Sequence, residues 1–405
     1  MLKKLCLFIL MTLLLLEMLP VTAAKKEKDP LELNCISAVL MDADTEQVVY
    51  QKNMNKKAYP ASITKVLTVY LAALNCQPDE KITASEAAID AVPRDSTNIA
   101  IDYGEILTVE QAANAAMLMS ANDASNLLAE HVSGDMKAFA KLMNKTALQF
   151  GAERSNFTNS NGLPDENHYT TALDFAKITA NAIRNEAFMG YFCNKEYTIS
   201  PTNKKDEARP MSSKHRMLIW DSYKPLGAKG GKTGYTTQAK HTAVTYAEKD
   251  GRKWIAVVLG ASTLNDQLND TEALLTYGNE EVSSVTLSAE DIGTTQIGDV
   301  TYAPVGEIRI YLLDGMRSED LTYEFNKKQV SVLDKDGNVL GSLPAEVKKP
   351  AKKGKTFAET LLTIALWILG IVVVFEIWRR HNIRKQRRKR RMQKWKNQMD
   401  NRNQK

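Results

Sequence analysis

Two hydrophobic periods divide this chain. Behind Pro60-Ala61, the apolar positions Val66, Leu67, Val69, Tyr70, Leu71, Ala73 and Leu74 recur as in a buried helix opening at Ser62. A second helical stretch, Ala112 to Leu118, follows Thr108-Val-Glu-Gln111, which has the spacing of a capping box. A third runs from Ala124 to Val132 and stops near Gly134. Elsewhere the period is two. Ser37 to Tyr50 reads as a hairpin, and His241–Ala247 and Trp254–Ala261 as strands on either side of the turn Lys249-Asp-Gly-Arg252. A further strand starts at Lys232 after the turn-rich segment 225–231. The pattern predicts an α+β fold, with an antiparallel sheet flanked by helices, a mostly helical lobe beside it and a cleft between the two.

From Ser283 the runs become short and alternating: Val285–Leu287, Ile308–Leu312, Leu321–Phe325 and Val330–Leu333, the last followed by Asp336-Gly337. They predict a small all-β domain over 283–347 with no catalytic constellation, serving as a spacer or as a protein-binding module. Both ends carry longer apolar stretches. Lys3-Lys4, the run Leu5–Leu16 and Pro20-Val-Thr-Ala23-Ala24 have the form of a secretory signal, here assigned to 1–23. Residues 357–378 are long and apolar enough to cross a bilayer as a helix, after a basic linker at 348–356.

Charge sharpens that picture. The chain carries +5, but the tail 379–405 holds thirteen Lys/Arg against one Asp, and the signal adds +1. The segment between is left at −8, so the basic balance is no sign of nucleic-acid binding. Eleven Lys/Arg in 379–396 outweigh five in 348–355, which predicts a cytoplasmic tail in contact with anionic lipid and an extracytoplasmic body at the plasma membrane. Four cysteines make no disulfide framework: Cys6 leaves with the signal, Cys35, Cys76 and Cys193 remain, and Cys76 reads as a small packing residue. No Cys/His spacing announces a metal, and no cofactor is implied.

Three short strings carry the candidate chemistry: Ser62-Ile-Thr-Lys65, Ser120-Ala-Asn122 and Lys232-Thr-Gly234. A serine hydroxyl needs a base within hydrogen-bond reach, and a spacing of three on a helix places Lys65 on the face of Ser62. Ser62 at the helix start has a backbone N–H free to face an oxyanion. Lys65, near the positive end of the helix dipole and with Lys232 as a second cation, is disfavoured as an ammonium. Ser120, on a turn between two helices and paired with Asn122, can relay a proton to a leaving amine. Lys232 and Thr233 suit a substrate carboxylate, Gly234 allows close backbone approach, and Tyr235 offers a second backbone N–H. Singly these strings are weak: a Ser-x-x-Lys match arises about once in such a chain by chance, and Ser96-Thr-Asn98 also matches the second string. The ordered set is what carries weight.

That set resembles the signature of penicillin-binding proteins and class A β-lactamases. The wider context is similar to the low-molecular-mass penicillin-binding proteins that act as D-alanyl-D-alanine carboxypeptidases. The hairpin Ala38–Tyr50, Tyr59-Pro-Ala-Ser62, Ser120-Ala-Asn-Asp-Ala-Ser125, Asn161-Gly-Leu163 with His168-Tyr-Thr-Thr171, and Gly230-Gly-Lys-Thr-Gly-Tyr-Thr236 all resemble segments of that family. The likeness runs from about Ser37 to about Ala261. It departs at Ala121, where the general signature has Asp.

The resemblance implies a β-lactamase/transpeptidase-like catalytic domain over 24–282. It implies Ser62 as the acylated nucleophile, Lys65 as proton acceptor, Ser120 as relay and Lys232 as a substrate-holding residue. Asn122 would bond Lys65 or the substrate amide, and Thr233 the terminal carboxylate. His215 and Arg216 are lesser candidates for that carboxylate. The implied reaction removes the terminal D-alanine from peptidoglycan pentapeptide stems, limiting cross-linking, with β-lactams acylating the same serine. Endopeptidase or transpeptidase action, a β-lactamase using Asp165 or Glu166, and a non-catalytic wall-binding sensor are the alternatives.

Overall fold

The computed structural model describes residues 30–313, 315–348 and 357–402. The expected signal sequence and nearly all of the expected linker lie outside them.

The central sheet has five antiparallel strands in the order β2-β1-β9-β8-β7. They are β1 (Ser37–Asp42), β2 (Val48–Lys52), β7 (Ala228–Thr236), β8 (Lys240–Lys249) and β9 (Arg252–Ala261), while β3–β4 (Lys81–Thr83, Ile106–Thr108) and β5–β6 (Glu196–Ile199, Arg209–Ser212) form two small ribbons. The central strands are buried on both faces, so they read as continuous apolar runs. On one face, Val39, Met41, Ile255, Val257 and Leu259 pack into the core shared with the helices. On the other, Ala38, Leu40, Trp254, Ala256 and Val258 meet Leu268, Leu274 and Leu275 of the helix Leu264–Thr276. Strand β7 lies at the sheet edge, with one of its long sides unpaired within the sheet.

The helical lobe is built around helix Lys65–Asn75, whose residues 65–72 are all buried, packed against helix Asn122–Ser133. Gly134 ends the second helix with φ +81°, a backbone conformation that costs glycine little.

The described residues of 283–347 are all-β apart from the short helical turns Ala289–Ile292 and Ser318–Asp320. Strand β10 (Ser283–Ser288) pairs with β13 (Glu307–Leu312), and β14 (Thr322–Phe325), β15 (Gln329–Leu333) and β16 (Val339–Val347) form a meander. Leu287, Ile308, Ile310, Val330 and Val332 make a core of their own. Strand β13 nevertheless serves two cores. Ile308 and Ile310 face the β segment, while Tyr311, on the opposite side of the strand from Ile310, turns into the core beneath the central sheet, its ring 4.7 Å from that of Trp254. The Tyr311 backbone is clamped by one side chain: Gln47 Nε2 donates to its carbonyl (2.7 Å), and its N–H donates to Gln47 Oε1 (2.9 Å). Its hydroxyl donates to Asp42 Oδ2 (3.0 Å), whose other oxygen holds the β1–β2 turn through Thr45.

Of the described residues, 294–303, 346–348 and 357–402 form a separate unit. It contains the hairpin β11–β12 (Thr295–Ile297, Val300–Pro304) and one helix, Phe357–Arg402. The expected span of 357–378 corresponds to about 33 Å of helix, enough for a bilayer core. The helix does not stop at Trp378 but continues through the basic run, and Glu376 pairs with Arg379 and Arg380 at the changeover. Its apolar part has a mean hydropathy of 2.4 and is fully exposed, as a lipid-facing helix would be.

Tyr311→Ala is expected to lower unfolding stability by about 3–5 kcal/mol, the usual cost of emptying a buried aromatic site. Denaturant unfolding of the detergent-solubilised chain measures it, and a loss under about 1 kcal/mol would show that β13 is not anchored through this ring.

Candidate active site

The nucleophile segment is more tightly wound than the expected plain helix. Ala61–Thr64 form a 3-10 turn, and the α-helix proper starts at Lys65. In a 3-10 turn residues three apart nearly eclipse, which brings Lys65 Nζ to 3.0 Å from Ser62 Oγ. Ala61 adopts φ +52°, unusual for a residue with a side chain. Its neighbours hold it there. Thr242 Oγ1 donates to Pro60 O (2.9 Å), and Gly162 lies so close that an added Cβ would sit 1.8 Å from the Ala61 carbonyl oxygen.

Lys65 is completely buried. Besides Ser62, its nitrogen reaches Asn122 Oδ1 (2.8 Å) and the backbone carbonyl of Asn161 (2.6 Å). Both are neutral acceptors. Burial first, and then the positive charge of Lys232, push its pKa well below the ordinary lysine range. A neutral amine has two N–H donors and one lone pair. Donating to Asn122 and Asn161 leaves the lone pair for the Ser62 hydroxyl, the arrangement a general base requires.

The second string sits on a tight turn. Helix Val109–Asn114 runs into a π-turn, Ala115–Met119, and Ser120 follows in the left-handed conformation at φ 61°, ψ 32°. Asn122 then opens the next helix, its N–H donating to Thr97 O. Asp123 accepts from the N–H groups of Ile99, Ile101 and Ala124, fixing the adjoining loop.

The third string lies on the edge strand β7. Lys232 is buried, and its nitrogen donates to the Thr233 carbonyl (2.7 Å). Burial and the nearby Lys214 push its pKa down to about 7. Gly234 brings the strand against the nucleophile: a Cβ there would lie 2.7 Å from the Ser62 nitrogen. The Tyr235 side chain, next along the strand from Gly234, is exposed and tilts over His241.

The structure therefore gathers Ser62, Lys65 and Asn122 by direct contact and brings β7 against Ser62 through Gly234. His215 is elsewhere occupied: buried below Gly231 and 2.9 Å from Thr245 Oγ1, it has its pKa lowered to about 4 by burial and Lys232. The Arg216 guanidinium lies over the Trp220 ring. Asp165 and Glu166 are exposed on their loop.

Sequence reasoning passed over the loop 158–163 as a source of site groups. Asn161 contributes a carbonyl, which has no side-chain signature. Its amide donates to Asn126 Oδ1, and Asn159 Oδ1 accepts from Gly162 N. His168 steadies both sides of the loop: Nδ1 accepts from Thr158 N, which leaves Nε2–H to donate to Thr64 Oγ1. Lys214, a further cation acting on Lys65 and Lys232, was also missed.

Residues 22–263 match the Peptidase_S11 family, D-alanyl-D-alanine carboxypeptidase. The chain belongs to this family. It is 29% identical to the D-alanyl-D-alanine carboxypeptidase DacF of Bacillus subtilis, over 90% of this chain and 99% of the relative. Penicillin binding protein 5 from Haemophilus influenzae has a similar structure, with a TM-score of 0.66 and 26% identity over 79% of this chain and 98% of the other. A Streptomyces K15 DD-transpeptidase variant aligns at TM-score 0.57 and 25% identity, over 61% of this chain and 98% of the other. This serine-type D-Ala-D-Ala carboxypeptidase thus has the fold that its hydrophobic pattern implied.

Gly162→Ala should leave the carboxypeptidase folded yet cut D-alanine release at least about a hundredfold. The new methyl must displace Ala61, and a shift of about 1 Å at a nucleophile can cost that much. Circular dichroism and a D-alanine assay test this; near-normal turnover would show that the Ala61 conformation is not needed.

Proposed function

We propose that the enzyme removes the terminal D-alanine of peptidoglycan pentapeptide stems through an acyl-enzyme on Ser62. The observation that carries this is the buried Lys65 nitrogen 3.0 Å from Ser62 Oγ, its other hydrogen bonds among the described residues going to the neutral acceptors Asn122 Oδ1 and Asn161 O. Lys65 takes the hydroxyl proton as Ser62 attacks the carbonyl between the two D-alanines. The backbone N–H groups of Ser62 and Tyr235, on either side of the close approach at Gly234, receive the oxyanion. Ser120 passes a proton to the leaving D-alanine amine, with Asn122 orienting Lys65. Lys232 and Thr233 hold the terminal carboxylate, and water then frees Ser62. Penicillin presents a strained amide and a carboxylate to the same groups and acylates the same serine, and trimming the stems limits their cross-linking.

Transfer to an amine acceptor is the second reading, favoured by the structural likeness to the Streptomyces DD-transpeptidase. The exposed positions of Asp165 and Glu166 speak against a β-lactamase-type deacylating carboxylate. The helix Phe357–Arg402 anchors the enzyme in the plasma membrane by a single pass, with the catalytic segment outside, the tail inside and the arginine-rich turns against anionic lipid.

Purified full-length chain, given a pentapeptide stem and a fluorescent penicillin, should release D-alanine and become labelled, and Ser62→Ala should do neither. Labelling without D-alanine release would sink the carboxypeptidase reading, and stem products carrying an added amine in place of the terminal D-alanine would favour transfer. The pH dependence follows from the two lysines. Below its depressed pKa Lys65 is an ammonium and cannot accept a proton, so kcat/KM rises as the pH passes it. Lys232 loses its charge as the pH passes about 7, which lowers kcat/KM on that side. Arginine keeps its charge throughout, and Lys232→Arg should remove the falling limb even if KM worsens. A falling limb unchanged in that variant would exclude Lys232 as its source.

A further inference from the structure

At the far ends of the two helices that carry Lys65 and Asn122, a second group of reactive side chains converges. Cys76 caps helix Lys65–Asn75, and His131 lies in the last turn of helix Asn122–Ser133. Glu80, in the loop after Cys76, completes the group, and the ligand atoms of all three lie within 4.8 Å of one another. No sequence spacing announces it, because His131 is 51 residues from Glu80. We infer that Cys76 Sγ, Glu80 Oε1 and His131 Nε2 bind a borderline divalent cation of the zinc type, with solvent as the fourth ligand.

The donor set is the first argument. One thiol, one imidazole and one carboxylate match the ligands zinc takes, and sulfur with nitrogen discriminates against calcium and magnesium. Geometry is the second. Glu80 Oε1 is already 2.9 Å from His131 Nε2, and Glu80 Oε2 accepts from Gln77 N at 3.1 Å, so the carboxylate is oriented from behind. Tetrahedral ligands on zinc stand about 3.3–3.6 Å apart, so binding requires the Glu80–His131 pair to open by about 0.5 Å and the Cys76 sulfur to close in by up to about 1.5 Å.

The setting is the third. The loop is pinned on its other side, with Val109 N donating to Glu80 O and Glu110 N to Pro78 O, both at 2.9 Å. Each helix directs the negative end of its dipole toward the cluster, which favours a cation there. Glu80 is well exposed and His131 partly so, leaving a side open for entry and for a solvent ligand. A metal here clasps the two helices at the ends opposite Lys65 and Asn122. It is a positioning site, remote from the reacting atoms.

Cobalt(II) titrated into the metal-free, reduced full-length chain in detergent tests this through the near-ultraviolet thiolate-to-cobalt absorption. One equivalent should bind at micromolar concentration, Zn2+ should displace it, Cys76→Ser should abolish the band, and His131→Gln should weaken binding at least tenfold. Zn2+ should also raise the thermal midpoint of the parent chain and leave that of Cys76→Ser unmoved. Should Cys76→Ser fail to fold, loss of affinity in His131→Gln with unchanged circular dichroism carries the same test. The inference is overturned by absence of the band, by its appearance only at millimolar cobalt, or by its persistence in a folded Cys76→Ser.

Discussion

A lysine amine sealed from water must either find a counter-charge or shed its proton, and among the described residues Lys65 has no counter-charge in contact. Lys65 meets one serine hydroxyl, one amide oxygen and one backbone carbonyl. Each neutral acceptor comes from a different part of the fold: Asn122 from the start of a helix, Asn161 from a loop, Ser62 from the preceding 3-10 turn. Burying Lys65 is therefore expensive in stability unless all three arrive together. The same burial that costs stability lowers the amine's pKa.

The other requirement is close backbone approach at two points. Gly162 lets the loop carrying Asn161 touch the Ala61 carbonyl, and Gly234 lets the edge strand reach the Ser62 nitrogen. Between them they wedge Ala61 into its left-handed conformation. Such strain persists only where the surroundings over-determine it, and here a glycine loop, a threonine hydroxyl and a sheet edge all do so. Edge strands are usually a liability. In β7 one long side is left unpaired within the sheet, on the strand that approaches the nucleophile segment at Gly234.

The β segment after residue 282 is coupled to this arrangement through β13. Tyr311 is held by Gln47 and Asp42 at the β1–β2 hairpin, and Arg309 Nη1 donates to Gly251 O at the β8–β9 turn. Both turns belong to the central sheet, so the contact is a polar clamp around one buried ring. The alternating runs from Ser283 predict a small all-β domain, a spacer or a protein-binding module, and Tyr311 reads there as one more aromatic in a strand.

Ser62, Lys65, Ser120, Asn122 and Lys232 were legible in the sequence because their chemistry resides in side chains at short spacings, on elements whose periodicity is plain. The strands, the principal helices and the long apolar helix were legible for the same reason, since periods of 2 and 3.6 are local properties. Asn161 was not, because what it contributes is a carbonyl common to every residue. Nothing in the letters marks Ala61 as left-handed, Ser120 as following a π-turn, or Lys214 as a neighbour of Lys232. The partners of Tyr311 and the meeting of Cys76, Glu80 and His131 were equally hidden. By itself the sequence determined which groups are available and which faces must be buried. Only the tertiary structure decided which groups meet, how far Lys65 is dehydrated and where its proton can go, because distance and desolvation depend on packing among segments far apart in the chain.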